Sequence, residues 1–254
     1  MFAIGRGLRP YVAGLLMGAS LAAGSAAYTD DFCKGMRGPT NYQADVRVSS
    51  SGNEQGVETL SNNVIIKYWN GDRTGLWAFV NVSYKFIDSR KGSNDDLGDI
   101  AIGVGPRGRI GNLHWATWGA LSFPTGDWDD KVAVGSGRLD RKLGGAFTYK
   151  PNQKFEVDGV MEYSFTGDDK NGRNAPNELY TGLLAGRSIG GRYKLGIGAT
   201  NLVRGDGNSL KNGRLILRYE RGKSVNYEIV LDRGIGGSGI PKGTSIGFFQ
   251  RYNF

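Results

Sequence analysis

Twelve stretches of this chain alternate apolar and polar side chains, and the connections between them alternate as well, one short and the next long. The stretches are 41–49, 57–69, 75–89, 97–110, 113–125, 141–150, 154–166, 178–189, 192–203, 213–221, 224–233 and 243–254. Period two is the strand period, because successive side chains point to opposite faces. The short connections are 70–74, 111–112, 151–153, 190–191 and 222–223; the longer ones are 50–56, 90–96, 126–140, 167–177, 204–212 and 234–242. Hairpins sorted by length onto two rims predict a closed barrel rather than a soluble sandwich. The segments reach the roughly 9 to 11 residues that a membrane-spanning strand needs. An even strand number returns both termini to the same rim.

Phase gives each strand two faces. One carries Val64, Ile66, Tyr68, Val80, Val82, Tyr84, Phe86, Ile100, Ile102, Val104, Phe155, Val157, Met161, Tyr163 and Phe165. It continues through Tyr193, Leu195, Ile197, Leu215, Leu217, Tyr219, Val225, Tyr227, Ile229 and Leu231, with almost no charge. Arg or Lys on a lipid face near the midplane would cost about 2–4 kcal/mol. Aromatic residues sit near the strand ends, as two membrane interfaces select. The expected fold is all-β: an antiparallel transmembrane β-barrel of about twelve strands, with short periplasmic turns and longer extracellular loops. No apolar run after the N-terminus approaches the roughly 20 residues of a membrane helix.

The opposite face is polar and would line a lumen. Its candidate lining and selectivity residues are Lys85, Arg107, Arg109, Lys142, Lys150, Lys194, Arg214, Arg218, Arg251, Glu156, Asp158, Glu162, Glu228 and Asp232. Lys67 shares that phase. Buried charge needs pairing or water. Two readings stand open: a basic wall (strands 75–89, 97–110, 141–150) facing an acidic one (154–166, 224–233), or ion pairs that only hold the barrel together. Gly103, Gly105, Gly144, Ala146, Gly196 and Gly198 on the same face are expected to leave room inside.

Residues 1–27 read as a secretory leader: Arg6 and Arg9, a short apolar core, then Ser25-Ala26-Ala27. Residues 28–40 form a periplasmic lead-in with the single cysteine, Cys33, and 41–254 the barrel. The formal charge of +8 comes from scattered residues, which does not suggest nucleic acid.

The last strand ends on Phe248, Tyr252 and Phe254 in one phase. It resembles the C-terminal signal of bacterial outer-membrane barrels, which implies recognition by the barrel-assembly machinery and closure against the first strand. Gln250 departs from the ideal alternation. Pro124, Thr125, Gly126 and Asp127, in the run SFPTGD, stand before the longest loop. With the leader, the Gly-rich strands and the aromatic C-terminus, this motif resembles a bacterial family of outer-membrane transporters labelled "meta-pathway of phenol degradation". The resemblance implies uptake of small aromatic or hydrophobic compounds, whereas the charged inner face suits polar or anionic solutes at least as well.

The function expected from these features is a channel for passive uptake of small solutes in the outer membrane, with no cofactor and no metal. Its partners would be outer-membrane lipid and lipopolysaccharide, the barrel-assembly machinery and a small-molecule solute. Two alternatives remain: a barrel whose loops carry an adhesin, receptor or structural role, and a lipid-modifying enzyme. For the enzyme, His114 is the one available base, and it has no Ser two residues on. The acidic runs 94–96, 127–130 and 168–169 lack EF-hand spacing and read as solvated loop tips.

Overall fold

A computed structural model describes residues 42–71, 74–90, 92–126, 132–168, 175–222 and 225–254. The leader, the lead-in with Cys33, and Asp127 lie outside the described residues. The elements are thirteen strands: β1 (Tyr42–Asn53), β2 (Glu58–Trp69), β3 (Thr74–Ser89), β4 (Gly92–Leu97), β5 (Ile100–Ile110), β6 (Leu113–Phe123) and β7 (Asp140–Tyr149). They continue with β8 (Phe155–Phe165), β9 (Glu178–Gly190), β10 (Tyr193–Arg204), β11 (Ser209–Arg221), β12 (Val225–Ser238) and β13 (Gly243–Asn253).

Neighbours in the chain pair antiparallel, save that β4 and β5 both pair with β3, and β1 pairs with both β2 and β13, which closes the sheet. The seam runs from Gln43 opposite Asn253 to Asn53 opposite Gly243, and the Phe254 amide donates to the Tyr42 carbonyl at 3.1 Å. Closure is the only way a sheet in lipid leaves no backbone group unpaired. The barrel has twelve staves and one extra strand, because β3 pairs with β5 along Thr74–Asn81 and with β4 along Tyr84–Ser89. So β4 and β5 form one stave broken at Gly98-Asp99. Gly98 is needed at the break: a Cβ there would stand 2.2 Å from the Ser83 hydroxyl oxygen.

Several boundaries move outward from their sequence-based positions. The expected loop 90–96 contains β4; β1 runs to Asn53, β11 starts at Ser209 and β12 reaches Ser238. These extensions are rich in Ser, Gly and Asn, without apolar alternation. Beyond the lipid, a hairpin needs only backbone pairing, so polarity marks the membrane edge and not the strand end. On the long-loop rim the wider gaps between strands fall between Phe123 and Asp140 and between Phe165 and Glu178.

The two faces follow the expected phase. The outer face leaves Ile66, Val104, Met161, Ile197, Leu231 and Phe248 exposed, with Ile197 at 68 %. Near the turn rim its rings form a row: Tyr193–Tyr219 at 5.0 Å between centroids, Tyr219–Tyr227 at 6.3 Å and Tyr227–Phe248 at 6.1 Å. The inner face buries Ile65, Trp69, Trp77, Phe79, Trp118 and Tyr180 in one cluster.

Gly103 and Gly144 do not leave empty space. A Cβ on Gly103 would lie 2.2 Å from the Phe79 ring, and one on Gly144 2.2 Å from the Trp118 ring, so these glycines seat the aromatics. Gly144→Ala is therefore expected to lose about 1–3 kcal/mol by overpacking. Gly119→Ala, whose nearest neighbour is the Leu143 side chain at 3.7 Å, should be near neutral. Urea unfolding of the refolded barrel in lipid vesicles measures both.

Candidate functional site

The inner face carries an aromatic cluster and two ionic hubs. On β2, β3 and β6 stand Trp69, Trp77, Phe79 and Trp118. Trp77 stacks on Phe79 at 5.1 Å and meets Trp118 edge-on at 5.9 Å. Their ring nitrogens are tied: the Trp77 indole donates to the Thr117 carbonyl at 2.9 Å, and that of Trp118 to Glu162 Oε2 at 3.1 Å. Pro106 explains the first bond. It has no N–H for the β6 ladder, pairing lapses between Val104–Gly119 and Arg107–Ala116, and the Thr117 carbonyl takes the indole instead. The Arg107 guanidinium lies over the Trp69 ring, 5.7 Å from its centroid.

None of these four rings was singled out from sequence. The signal was present: the parity that turns Lys67 inward on β2 also turns Trp69 inward, and Asn81 and Lys85 carry Trp77 and Phe79 with them. Large aromatics in a strand read equally well as outer-face residues until the phase is applied.

At the seam, Asp45 receives three cations. Lys67 Nζ lies 2.6 Å and Arg47 Nη2 3.3 Å from Oδ2, and Arg251 Nε is 3.0 Å from Oδ1. The four side chains are nearly or fully buried, Lys67 at 0 %. Asp45 and Arg47 were passed over because β1 reads as the weakest alternating segment, yet the inward phase of Gln43, Asp45 and Arg47 was there.

A second hub is Glu156 on β8. Lys150 lies 2.7 Å, Arg218 3.2 Å and Lys194 3.7 Å from its carboxylate. Lys194 also reaches Glu220 at 2.6 Å, and Arg218 bonds Glu228, its direct partner in register. Arg214 grips the facing Asp232 through two bonds of 2.6 and 2.8 Å. Lys142 pairs with Glu162 at 3.5 Å, and Thr148 donates to Asp158 at 2.6 Å.

Of the two readings of the charge pattern, the geometry realises the paired one at these positions. Cations of β7 meet carboxylates of β8, and those of β11 meet β12. Two of the expected lining residues stand apart. Lys85 donates to the Val134 carbonyl at 3.3 Å near the long-loop rim, and Arg109 to the Gly111 carbonyl at 2.8 Å at the turn rim.

The Pro-Thr-Gly segment has a structural task. Thr125 Oγ1 accepts the Ile100 amide at 3.1 Å and donates to the Gly98 carbonyl at 2.9 Å, which staples the end of β6 to the β4–β5 break. The chain then turns inward. Val134 is buried, the Ser136 amide donates to Asp99 at 2.9 Å, and Asn94 Nδ2 donates to the Val132 carbonyl at 2.9 Å. The described part of the longest loop is thus folded over the mouth.

His114 and Ser122 lie eight residues apart on β6, roughly 27 Å at the strand rise, so they cannot bond. Among the described residues no group of three or more His, Cys, Asp or Glu side chains is placed to hold a metal ion.

Asp45→Asn leaves three buried cations without their shared carboxylate. Removing one partner of a buried pair costs about 3–5 kcal/mol, so the variant should refold poorly or melt at markedly lower temperature in heat-modified gel mobility. Asp88→Asn on the exposed rim should be within about 0.5 kcal/mol of the parent protein.

Solved structures with a similar fold include three outer-membrane barrels. The COG4313 outer membrane channel from Pseudomonas putida F1 superposes with a TM-score of 0.72 at 16% identity, over 85% of this chain and 96% of that one. The NanC porin gives 0.54 at 11% identity, over 83% and 100%. The CymD monoaromatic hydrocarbon channel gives 0.55 at 7% identity, over 94% of each chain. Among curated proteins no sequence matches. The architecture is that of outer-membrane β-barrels. A family description matches residues 37–227, three quarters of the chain, and the protein belongs to that family, "Putative MetA-pathway of phenol degradation".

Proposed function

We propose that this protein is a narrow, passive channel of the bacterial outer membrane for small solutes that combine an aromatic or apolar part with a polar or anionic group. The carrying observation is the two-sided inner face. By strand order, the Trp69, Trp77, Phe79 and Trp118 cluster lies across the barrel from the Glu156–Lys194–Arg218 network. An aromatic wall favours stacking of a ring, and an ionic wall favours a charged substituent. Lys85 and Arg109 bond to carbonyls, and Asp99 stands near Lys85 at the long-loop mouth, so Arg109 at the turn rim is the cation that biases entry toward anions.

Export through the leader, and assembly through the C-terminal strand with Phe248, Tyr252 and Phe254, belong to the same reading. The outer-membrane channels among the similar folds support it, one of them described as a monoaromatic hydrocarbon channel. An adhesin or receptor role has less support, since the longest loop is tied to the barrel mouth by Lys85, Asn94 and Asp99.

Single-channel recording of the refolded mature chain in a planar phospholipid bilayer tests this. A small, steady conductance with anion preference is expected. Lys85→Gln combined with Arg109→Gln should lower that preference, and Trp118→Ala should raise conductance and admit larger solutes. A silent barrel, also silent as Trp118→Ala, would overturn the reading.

A further inference from the structure

The inner face at the seam holds a pocket beside the Asp45 hub. Its walls are two neighbouring rows of side chains across β1, β13 and β12: Arg47, Phe249 and Glu228 in one, Asp45, Arg251 and Asn226 in the other. About 190 Å³ of empty space opens there on the lumen. That is roughly the share of six molecules in liquid water, room for one ring with short substituents.

Two buried atoms of this lining, Arg47 Nε and Asn226 Oδ1, have no hydrogen-bond partner among the described residues. Buried polar atoms are ordinarily bonded, so each asks for an explanation. Arg47 is 2 % exposed and held at two points, by Nη2 on Asp45 at 3.3 Å and by its guanidinium over the Phe249 ring, 5.4 Å from the centroid. Its Nε–H is thus a donor fixed in place. Asn226 Oδ1 is an acceptor two strands away and two residues nearer the turn rim. The carboxylates beside them are engaged: Asp45 with Lys67, Arg47 and Arg251, and Glu228 with Arg218.

Charge and shape narrow the occupant. Four cations, Lys67, Arg47, Arg251 and Arg218, stand here around two carboxylates, so an added negative charge is favoured. A guanidinium N–H suits a carboxylate oxygen. The amide oxygen on the far wall calls for an O–H or N–H donor. Between the two lies Phe249, which also packs against Leu184, Ile216 and Val230, so the middle of the pocket is apolar.

We infer that this pocket binds a small hydroxylated aromatic carboxylate, with the carboxylate on Arg47 Nε and the hydroxyl on Asn226 Oδ1. The inference rests on the channel reading above and gives the solute a resting place in the lumen. Each row takes residues from both ends of the sheet, so the site exists only once β13 has closed on β1.

Isothermal titration calorimetry of the folded mature barrel in detergent tests it, with p-hydroxybenzoate, benzoate and p-hydroxybenzyl alcohol as probes. The parent should bind p-hydroxybenzoate saturably and each of the other two roughly tenfold more weakly, for one lost hydrogen bond to a buried group. Asn226→Leu should bind p-hydroxybenzoate no better than benzoate, yet keep the parent's melting temperature, because its amide oxygen has no bond to lose. A merely structural Asn226 would do the opposite, lowering the melting temperature with the ratio unchanged. Arg47→Lys keeps a cation for Asp45 but has no Nε–H, and should weaken both acids while leaving the alcohol as it was. Asn81→Leu removes another buried amide with an unbonded oxygen, on β3, and should bind as the parent does. No saturable binding by the parent, equal affinity for the three probes, or an unchanged ratio of the two acids in Asn226→Leu would each overturn the inference. Binding does not need ion flow, so the two readings fail separately. Binding to a barrel that is silent in a planar bilayer supports the site and tells against the channel, and conductance without binding does the reverse.

Discussion

Closure of the sheet is the constraint on which everything else in this molecule depends. In hydrocarbon an unpaired backbone N–H or C=O costs several kcal/mol, so β1 must meet β13 along its whole length. The chain does so with eleven residue pairs, and the Phe254 amide extends the ladder onto Tyr42. Asp45 and Arg251 face each other across this seam, with Lys67 held from the next strand. A buried charge cluster therefore sits where the two ends of the sheet join. One carboxylate spans three strands there, so correct register is coupled to satisfaction of buried charge.

Closure also forces the inner face to be complete in itself. A barrel of this size cannot leave large polar side chains loose inside without water or partners. Here β8 and β10–β12 solve the problem with cross-strand ion pairs, and β2, β3 and β6 with interlocked rings. The glycines of β5 and β7 belong to the second solution. Phe79 lies over Gly103 and Trp118 over Gly144, so a missing side chain on one strand is occupied by a large one from the next. The broken stave, the Thr125 staple and the inward loop form a third unit that fixes the mouth.

Much of this was readable before any coordinates. The fold class and the faces of the strands follow from alternation and loop order, and the closing role expected of the C-terminal strand from its resemblance to the outer-membrane signal. The strand ends at the long-loop rim were not readable, because Ser-, Gly- and Asn-rich hairpins such as 49–53 and 234–238 carry no apolar alternation. Within the lumen, Lys150, Lys194, Arg214 and Arg218 were identified as inward, but their partners were not. Asp45 and Arg47 were overlooked because a short segment with two valines and an alanine outward gives a faint periodic signal.

What the sequence determined by itself was direction: which side chains point out to lipid and which point in. That is a property of one strand, set by covalent geometry two residues at a time. What only the tertiary structure decided was pairing. Arg218 meets Glu228, Arg214 meets Asp232, and a ring enters the space over a glycine because a ladder of non-local hydrogen bonds sets one register out of several. A shift of two residues would preserve every direction and break every pair. The physical reason is that phase is local, whereas register is fixed only when the last strand meets the first.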